Sequence, residues 1–234
     1  MKIMSFNTQH CLNYISRKID FDLFADVIRT QGADIVGLNE MRNKGESEEY
    51  TAQVDILAEK TGFYGYFAKA IDVGGPNPYG NGLLSRWPIL QAEVIPVPDP
   101  EEPRKGTDWY ETRCLLKAKV DAPDGPLTVC VIHFGLNPDE AENAVQTVLS
   151  VLEEERCVLM GDFNVTPDDP VLAPIRERMF DTAELFAEPK LSYPSDEPDR
   201  KIDYLFISKD MKAVAADIPA IVASDHRPHT AEVE

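Results

Sequence analysis

Residues 158–164, VLMGDFN, end an apolar run on a carboxylate and a carboxamide two places apart. In a strand, positions i and i+2 share a face, so Asp162 and Asn164 can reach one small target at the rim of a core. Asp162 can accept a proton or hold a cation, and Asn164 can donate to an anionic oxygen. The same residues also suit an Asx-turn, in which both side chains bond local backbone ahead of Pro167. A motif this short leaves both readings open, and the surrounding chain has to decide between them.

Upstream, Asn137-Pro138-Asp139-Glu140 joins an N-cap, a proline at the first helical position and a glutamate at the third, which is a capping-box start. Ala141, Ala144, Val145, Val148, Leu149 and Leu152 form the inward stripe of that helix, which hands over to a strand at Cys157. Leu127 to Ile132 reads as a strand ending at His133, joined through Asp124-Gly125 to another at Thr112 to Val120. Pro98 to Tyr110, acidic and proline-rich, reads as an exposed loop over a site. Strands are expected at Tyr64 to Ala68, Gly82 to Ser85 and Ile89 to Val97, with a turn-rich loop from Asp72 to Gly82. The first strand, Lys2 to Phe6, delivers Asn7. A helix from Phe21 to Gln31 follows, capped by Asp20 and stopped by Gly32. Ala33 to Leu38 is a strand ending in Asn39-Glu40, and Glu48 to Thr61 is a second helix. Beyond the motif come a short helix around Val171 to Met179, a loop holding Pro189 to Pro198, and a strand from Ile202 to Ile207. Met211 to Pro219 has no clear pattern, and a last strand, Thr230 to Val233, follows Ser224-Asp225-His226.

With 234 residues and 43% apolar content, the chain is expected to form one domain, 1–234, with a substantial core. No repeat, low-complexity tract or linker divides it. No run approaches the roughly 18 apolar residues of a membrane span. The N-terminus lacks the charged-then-apolar form of a signal peptide, so a cytoplasmic location is expected. Cys11, Cys114, Cys130 and Cys157 have no C-x-x-C spacing and read as buried free thiols, in keeping with a reducing compartment. A net charge of −18 repels polyphosphate backbones and leaves no basic footprint for nucleic acid. Bound divalent cations can balance part of that acidity.

Asn7, Glu40, His133, Asp162, Asn164, Asp203, Asp225 and His226 each lie at or just beyond the end of an expected strand, or at a polar break inside one. Strand ends are polar in every protein. Eight such groups, including two of only four histidines, nevertheless point to one site at one end of the sheets.

The segments SFNTQ, VGLNE, GNGLLSR, ETRC, VIHFGLN, GDFN, KIDYLFIS and SDHRP run in that order from residue 5 to residue 228. Together they closely resemble the endonuclease/exonuclease/phosphatase superfamily, and GDFN followed by IDY and a terminal SDH is the most specific part. The resemblance implies an α/β (α+β) fold of the four-layer, deoxyribonuclease I-like kind: a sandwich of two mostly antiparallel sheets flanked by helices. It implies Glu40 as the principal ligand of Mg²⁺ or Mn²⁺, assisted by Asn7 and Asp225. Asp162 matches the residue that orients or deprotonates the attacking water, and Asn164 the one that steadies the phosphate. His226 would contact a phosphoryl oxygen, with Asp203 holding its ring. His133 resembles the deoxyribonuclease, sphingomyelinase and phosphatase branches, whereas AP endonucleases carry a tyrosine near this strand end.

Arg113, in ETR, is readable either as a phosphate clamp or as a salt-bridge partner of Glu111. Asn137 is read as a cap, and His10 and His229 as ordinary residues. The expected activity is metal-dependent hydrolysis of a small phosphorylated molecule or lipid head group by direct water attack. The alternatives are a DNA or RNA nuclease using the same site and a non-catalytic binding protein, the latter disfavoured by the complete residue set. Specificity is expected in loops 72–81 and 98–110.

Overall fold

The computed structural model describes residues 1–234. Its regular elements are β1 (Lys2–Asn7), α1 (Phe21–Gln31), β2 (Ile35–Arg42), α2 (Gln53–Thr61), β3 (Tyr64–Asp72), β4 (Pro78–Ser85), β5 (Ile89–Pro96), β6 (Cys114–Ala122), β7 (Gly125–His133), α3 (Pro138–Val151), β8 (Cys157–Asp162), α4 (Ala173–Arg178), β9 (Met179–Asp181), β10 (Asp203–Ser208), β11 (Ala213–Asp217) and β12 (His229–Val233). They form two six-stranded sheets, β11-β12-β1-β2-β4-β3 and β5-β6-β7-β8-β10-β9. Each sheet has one parallel pair, β1 with β2 and β7 with β8, and every other pairing is antiparallel. Parallel neighbours need a crossover connection. Helices α1 and α3 supply it, so each sheet is centred on a βαβ unit.

Alternation along the strands divides the core into three layers. Ile3, Ile35 and Leu83 of the first sheet meet Leu116, Val129, Val158, Met160 and Leu205 of the second in the central layer. The intervening residues face outward: Met4, Phe6, Val36 and Leu38 pack on Phe24 and Ile28 of α1 and on Leu57 of α2. On the opposite side Leu115, Cys130, Ile132, Leu159 and Phe206 pack on Ala144, Val145 and Val148 of α3. The result is the expected helix–sheet–sheet–helix sandwich. All four cysteines are buried and free. No helix is long and apolar enough to cross a membrane.

Several expected boundaries shift. Helix α2 begins at Gln53 rather than Glu48, because residues 48–52 form a turn in which Tyr50 is buried beneath the Arg42 guanidinium, 4.7 Å from the ring centroid. The expected loop 72–82 contracts to 73–77, since β4 starts at Pro78 and pairs with both β2 and β3. Residues 213–217 form β11, an edge strand whose half-exposed alanines and valine carry little periodic signal. Strand β9 is three residues long and has no pattern of its own.

Candidate active site

Parallel pairing sends both strands of a pair to the same edge, so β1, β2, β7 and β8 all end on one side of the sandwich. In the first sheet Asn7 is paired in register with Asn39. In the second, Asp162 is flanked in register by His133 on β7 and Asp203 on β10. Three of the expected residues thus form one row across a sheet.

Local backbone completes the placement. Glu40 lies where the β2–β4 register shifts between Leu38 and Met41, and it has a left-handed φ of 61°. A bulge re-aims a side chain that strict alternation would fix. Asn164, at φ 52°, is likewise left-handed. Such conformations cost non-glycine residues free energy and cluster at functional sites. Gly161, at φ 150°, is demanded by packing as well, because a Cβ there would stand 1.7 Å from the Ile132 carbonyl oxygen.

The Asn7 side chain joins the two sheets. Its Nδ2 donates to Glu40 Oε1 and to Asp162 Oδ2, both at 3.0 Å, while its Oδ1 accepts the Gln9 N–H at 3.1 Å. Asn7 therefore faces the carboxylates with its donor end. Burial pushes the Glu40 carboxyl up. The Asn7 bond opposes that shift and the nearby Asp225 charge adds to it.

Asp162 is 1% exposed, and burial raises its carboxyl to about 7 even though the His226 charge pulls it down. The Asx-turn is present at Asp162 alone: its Oδ1 accepts the Asn164 N–H at 3.0 Å and its Oδ2 is free of that bond and meets Asn7, while the Asn164 side chain bonds the distant Phe134 carbonyl rather than local backbone. His226 Nδ1 lies 2.8 Å from Asp203 Oδ2, and its Nε2 lies 3.5 Å from Asp162 Oδ2. Burial alone would lower this imidazole, but the Asp203 and Asp162 carboxylates outweigh it and push it up to about 10. His226 is therefore a cation at neutral pH. Tyr193 packs against it with the rings tilted at 51° and their centroids 4.8 Å apart.

His133 is the opposite case. Burial, with the Arg113 and His226 charges, holds it well below its ordinary value, so the ring is neutral. Arg113 Nη1 is 3.3 Å from Nδ1 and can only donate. Nδ1 therefore accepts, and the ring proton sits on Nε2, 3.5 Å from Asp162 Oδ2. Asn164 Nδ2, 3.2 Å from that nitrogen, has its own acceptor in the Phe134 carbonyl at 3.1 Å. Arg113 pairs with Glu111, as one of its readings had it, and also lines the pocket.

Glu40, Arg113, His133, Asp162, Asn164 and His226 line a cavity of about 380 Å³ together with Asp225, while Asn7 and Asp203 stand behind its wall, bonded to Glu40, Asp162 and His226. Asn137 is outside it and acts as a cap: its N–H donates to Glu140 Oε2 at 3.2 Å, and its Oδ1 takes the Asp108 N–H at 2.9 Å. Together with Asp139, which accepts from Tyr110 Oη and from the Lys105 N–H, it ties loop 98–110 to α3. That loop brings Trp109, 78% exposed, to the mouth beside Leu136. Sequence reasoning did not single out Trp109, Leu136, Tyr79 or Tyr193, because isolated aromatic and apolar residues in loops carry no spacing signal. It also passed over Asn39, whose role depends on contacts with the other sheet. His10 lines no part of this cavity, and His229 is fully buried behind it.

A model of the endonuclease/exonuclease/phosphatase family matches residues 4–226. The chain belongs to that family. It is 22% identical over 253 residues to the uncharacterised protein YbhP of Escherichia coli, an alignment covering 99% of this chain and 95% of that one. An endonuclease/exonuclease/phosphatase from Beutenbergia cavernae superposes with a TM-score of 0.84 at 23% identity, over 100% of this chain and 71% of its own. A mannosyl-6-phosphatase of Bacteroides thetaiotaomicron gives 0.76 at 15% identity, over 100% and 99%. The catalytic domain of human Nocturnin gives 0.70 at 16%, over 100% and 93%. At these identities the likeness establishes the fold, the deoxyribonuclease I-like α/β sandwich.

Family members are hydrolytic phosphoesterases that generally use a divalent metal, and the side chains of this site suit one. Asp162, Asp203 and His226 bring ligand-type atoms within 4.8 Å of one another, but in that trio the imidazolium itself supplies the positive charge. Glu40 and Asp225 add two further carboxylates facing the same cavity, where the cations Arg113 and Arg200 are already paired with Glu111 and Asp199. This excess of oxygen anions is the donor chemistry that hard divalent cations take.

Proposed function

We propose that this chain is a Mg²⁺- or Mn²⁺-dependent phosphoesterase that hydrolyses a small phosphorylated molecule or lipid head group by direct attack of water on phosphorus. The observation that carries the reading is the meeting, in one cavity, of a carboxyl raised to about 7 (Asp162), an imidazole held in its charged form at neutral pH (His226) and the further carboxylates Glu40 and Asp225. Glu40 and Asp225 would hold the metal, assisted by Asn7, whose amide N–H also orients Glu40. When bound, the ion supplies positive charge against the phosphoryl oxygens and the leaving oxygen. Asp162 orients the water and takes its proton, a task suited to a carboxyl whose pKa approaches the working pH. His226, with its ring held by Asp203, and Asn164 bind the developing charge on the phosphoryl oxygens. His133 donates from Nε2, and Arg113 fixes its tautomer at Nδ1. No serine or cysteine lines the cavity, in keeping with direct attack by water.

The cavity's size, the −18 charge and a mannosyl-6-phosphatase among the structural neighbours favour a small substrate. Nuclease activity is the second reading. The exposed Trp109 at the mouth favours it, because a base can stack there. The four buried free thiols support a cytoplasmic location.

The test is turnover of a panel in Mg²⁺ or Mn²⁺ with an EDTA control: p-nitrophenyl phosphate, bis-p-nitrophenyl phosphate, sugar phosphates, inositol phosphates, glycerophosphodiesters and DNA. EDTA-sensitive hydrolysis of a small ester, lowered on the order of 10²-fold or more in Glu40→Gln, is the expected result. DNA cleavage at far lower substrate concentration than any small ester would replace the first reading with the second.

A further inference from the structure

A second cavity of about 460 Å³, larger than the catalytic one, adjoins it through a shared wall residue, Arg200. Its body is apolar, built from Phe186, Leu191 and Pro189. Its charged lining is Lys190, Arg200 and Lys201 against the single carboxylate of Asp199, a cationic surplus in a chain of net charge −18. Lys190 is paired with Asp217, and Arg200 with Asp199. Lys201 is different. It is 5% exposed, and its Nζ has no hydrogen-bond partner, lying 3.3 Å above the Tyr204 ring centroid. A buried ammonium that rests on an aromatic face and has no oxygen acceptor gains from an anionic one. Burial brings this amine down to about 8, with the Asp181 and Asp203 charges opposing the shift.

We propose that this cavity is a subsite for the part of the substrate that is not hydrolysed, and that it takes an apolar, preferably aromatic, group carrying an anionic oxygen. The apolar body rests on Phe186 and Leu191, and the anionic oxygen accepts from Arg200 and from Lys201 Nζ, which turns from the Tyr204 ring into the cavity to meet it. A ligand spanning Arg200 has its scissile phosphate beside Asp162 and His226. This assignment rests on the phosphoesterase reading, whereas binding of an amphiphilic anion does not.

The experiment therefore begins without turnover. Anilinonaphthalene sulfonate, an aromatic anion, is titrated by fluorescence in EDTA into wild type, Ala183→Trp, which fills the cavity, and Lys201→Met, which keeps the stem and removes the donors. Folding of each variant is checked by its melting transition. Saturable binding by wild type, weakened roughly tenfold or more in both variants, is expected. Ala183→Trp should also raise KM for bis-p-nitrophenyl phosphate, whose second ring extends beyond the scissile phosphate, and leave p-nitrophenyl phosphate unchanged. No saturable binding, or equal binding by wild type and a folded Ala183→Trp, overturns the cavity. An unchanged KM for the diester overturns its role as a substrate subsite. If the dye responds to the variants but no phosphoester is turned over, the phosphoesterase reading fails and the anion site stands.

Discussion

The side-chain carbonyl of Asn39, on the first sheet, accepts the backbone N–H of Asp162, on the second, at 3.0 Å. The Asn39 amide donates to the Ile132 carbonyl at 3.0 Å and to Asn81 Oδ1 at 2.9 Å, and Asn81 in turn donates to the Cys114 carbonyl. All of these groups are buried. The chain of bonds sets the distance between the strand bearing Glu40 and the strand bearing Asp162. Replacing Asn39 with Ala leaves buried backbone groups unsatisfied, at a cost of about 1–3 kcal/mol. The expected outcome is a lower melting temperature together with a reduced kcat and a shifted limb in the pH profile where Asp162 titrates. A variant that loses stability with kcat and profile intact would restrict Asn39 to a packing role.

The Asp203–His226 pair makes an alkaline prediction. His226 is raised by its carboxylate neighbours, so its charge is present below its pKa of about 10 and lost above it. Asp203→Asn removes the closest of those charges and should bring the alkaline limb of the rate profile down towards neutral pH. The acidic limb, set by Asp162, should move less. Superimposable wild-type and variant profiles would refute the pair.

Gly161 tests the backbone. An alanine there must displace the Ile132 carbonyl or abandon the φ of 150°. Strained backbone of this kind costs on the order of 1–3 kcal/mol before the clash is counted. Gly161→Ala should therefore unfold at a clearly lower temperature or fail to accumulate as soluble protein. A wild-type melting temperature would show that β7 and β8 can separate without penalty.

His229 gives a stability prediction with a definite sign. It is fully buried against Thr182 and the Asp203 carbonyl, and burial together with the Lys201 charge holds it down at about 3. The unfolded chain protonates this imidazole near 6.5, whereas the folded chain does not. Its contribution is therefore complete above 6.5 and lost as pH falls towards 3. His229→Gln should be less stable than wild type at pH 7.5, and the gap should narrow by on the order of 2 kcal/mol between pH 6.5 and 5. Denaturant melts at several pH values measure it; a gap independent of pH would mean that His229 titrates alike in both states.

Local pattern carried the central elements well. The inward stripe of α3 and the apolar runs of β1, β2, β7 and β8 alternate or repeat at their proper periods, and each is visible within ten or so residues. The pattern failed where an element depends on its neighbours. Residues 78–81 look like a loop because they are rich in glycine, asparagine and proline, yet they form part of β4, clamped between β2 and β3. Strand β11 exists because β12 offers it an edge.

The sequence by itself determined which groups this protein places at its strand ends: carboxylates, carboxamides and histidines. These identities are covalent facts and need no fold to be read. Tertiary structure decided what each group became. His133 and His226 have the same side chain. One is neutral because burial and two cations discourage its proton, and the other is charged because two buried carboxylates retain it. The Asp162 carboxyl rises to about 7 chiefly because packing excludes water from around it, with the Asp203 charge adding to the shift. Burial and field are set by residues on different strands and loops, Arg113, Asp162, Asp203 and His226 among them, brought together at the sandwich edge.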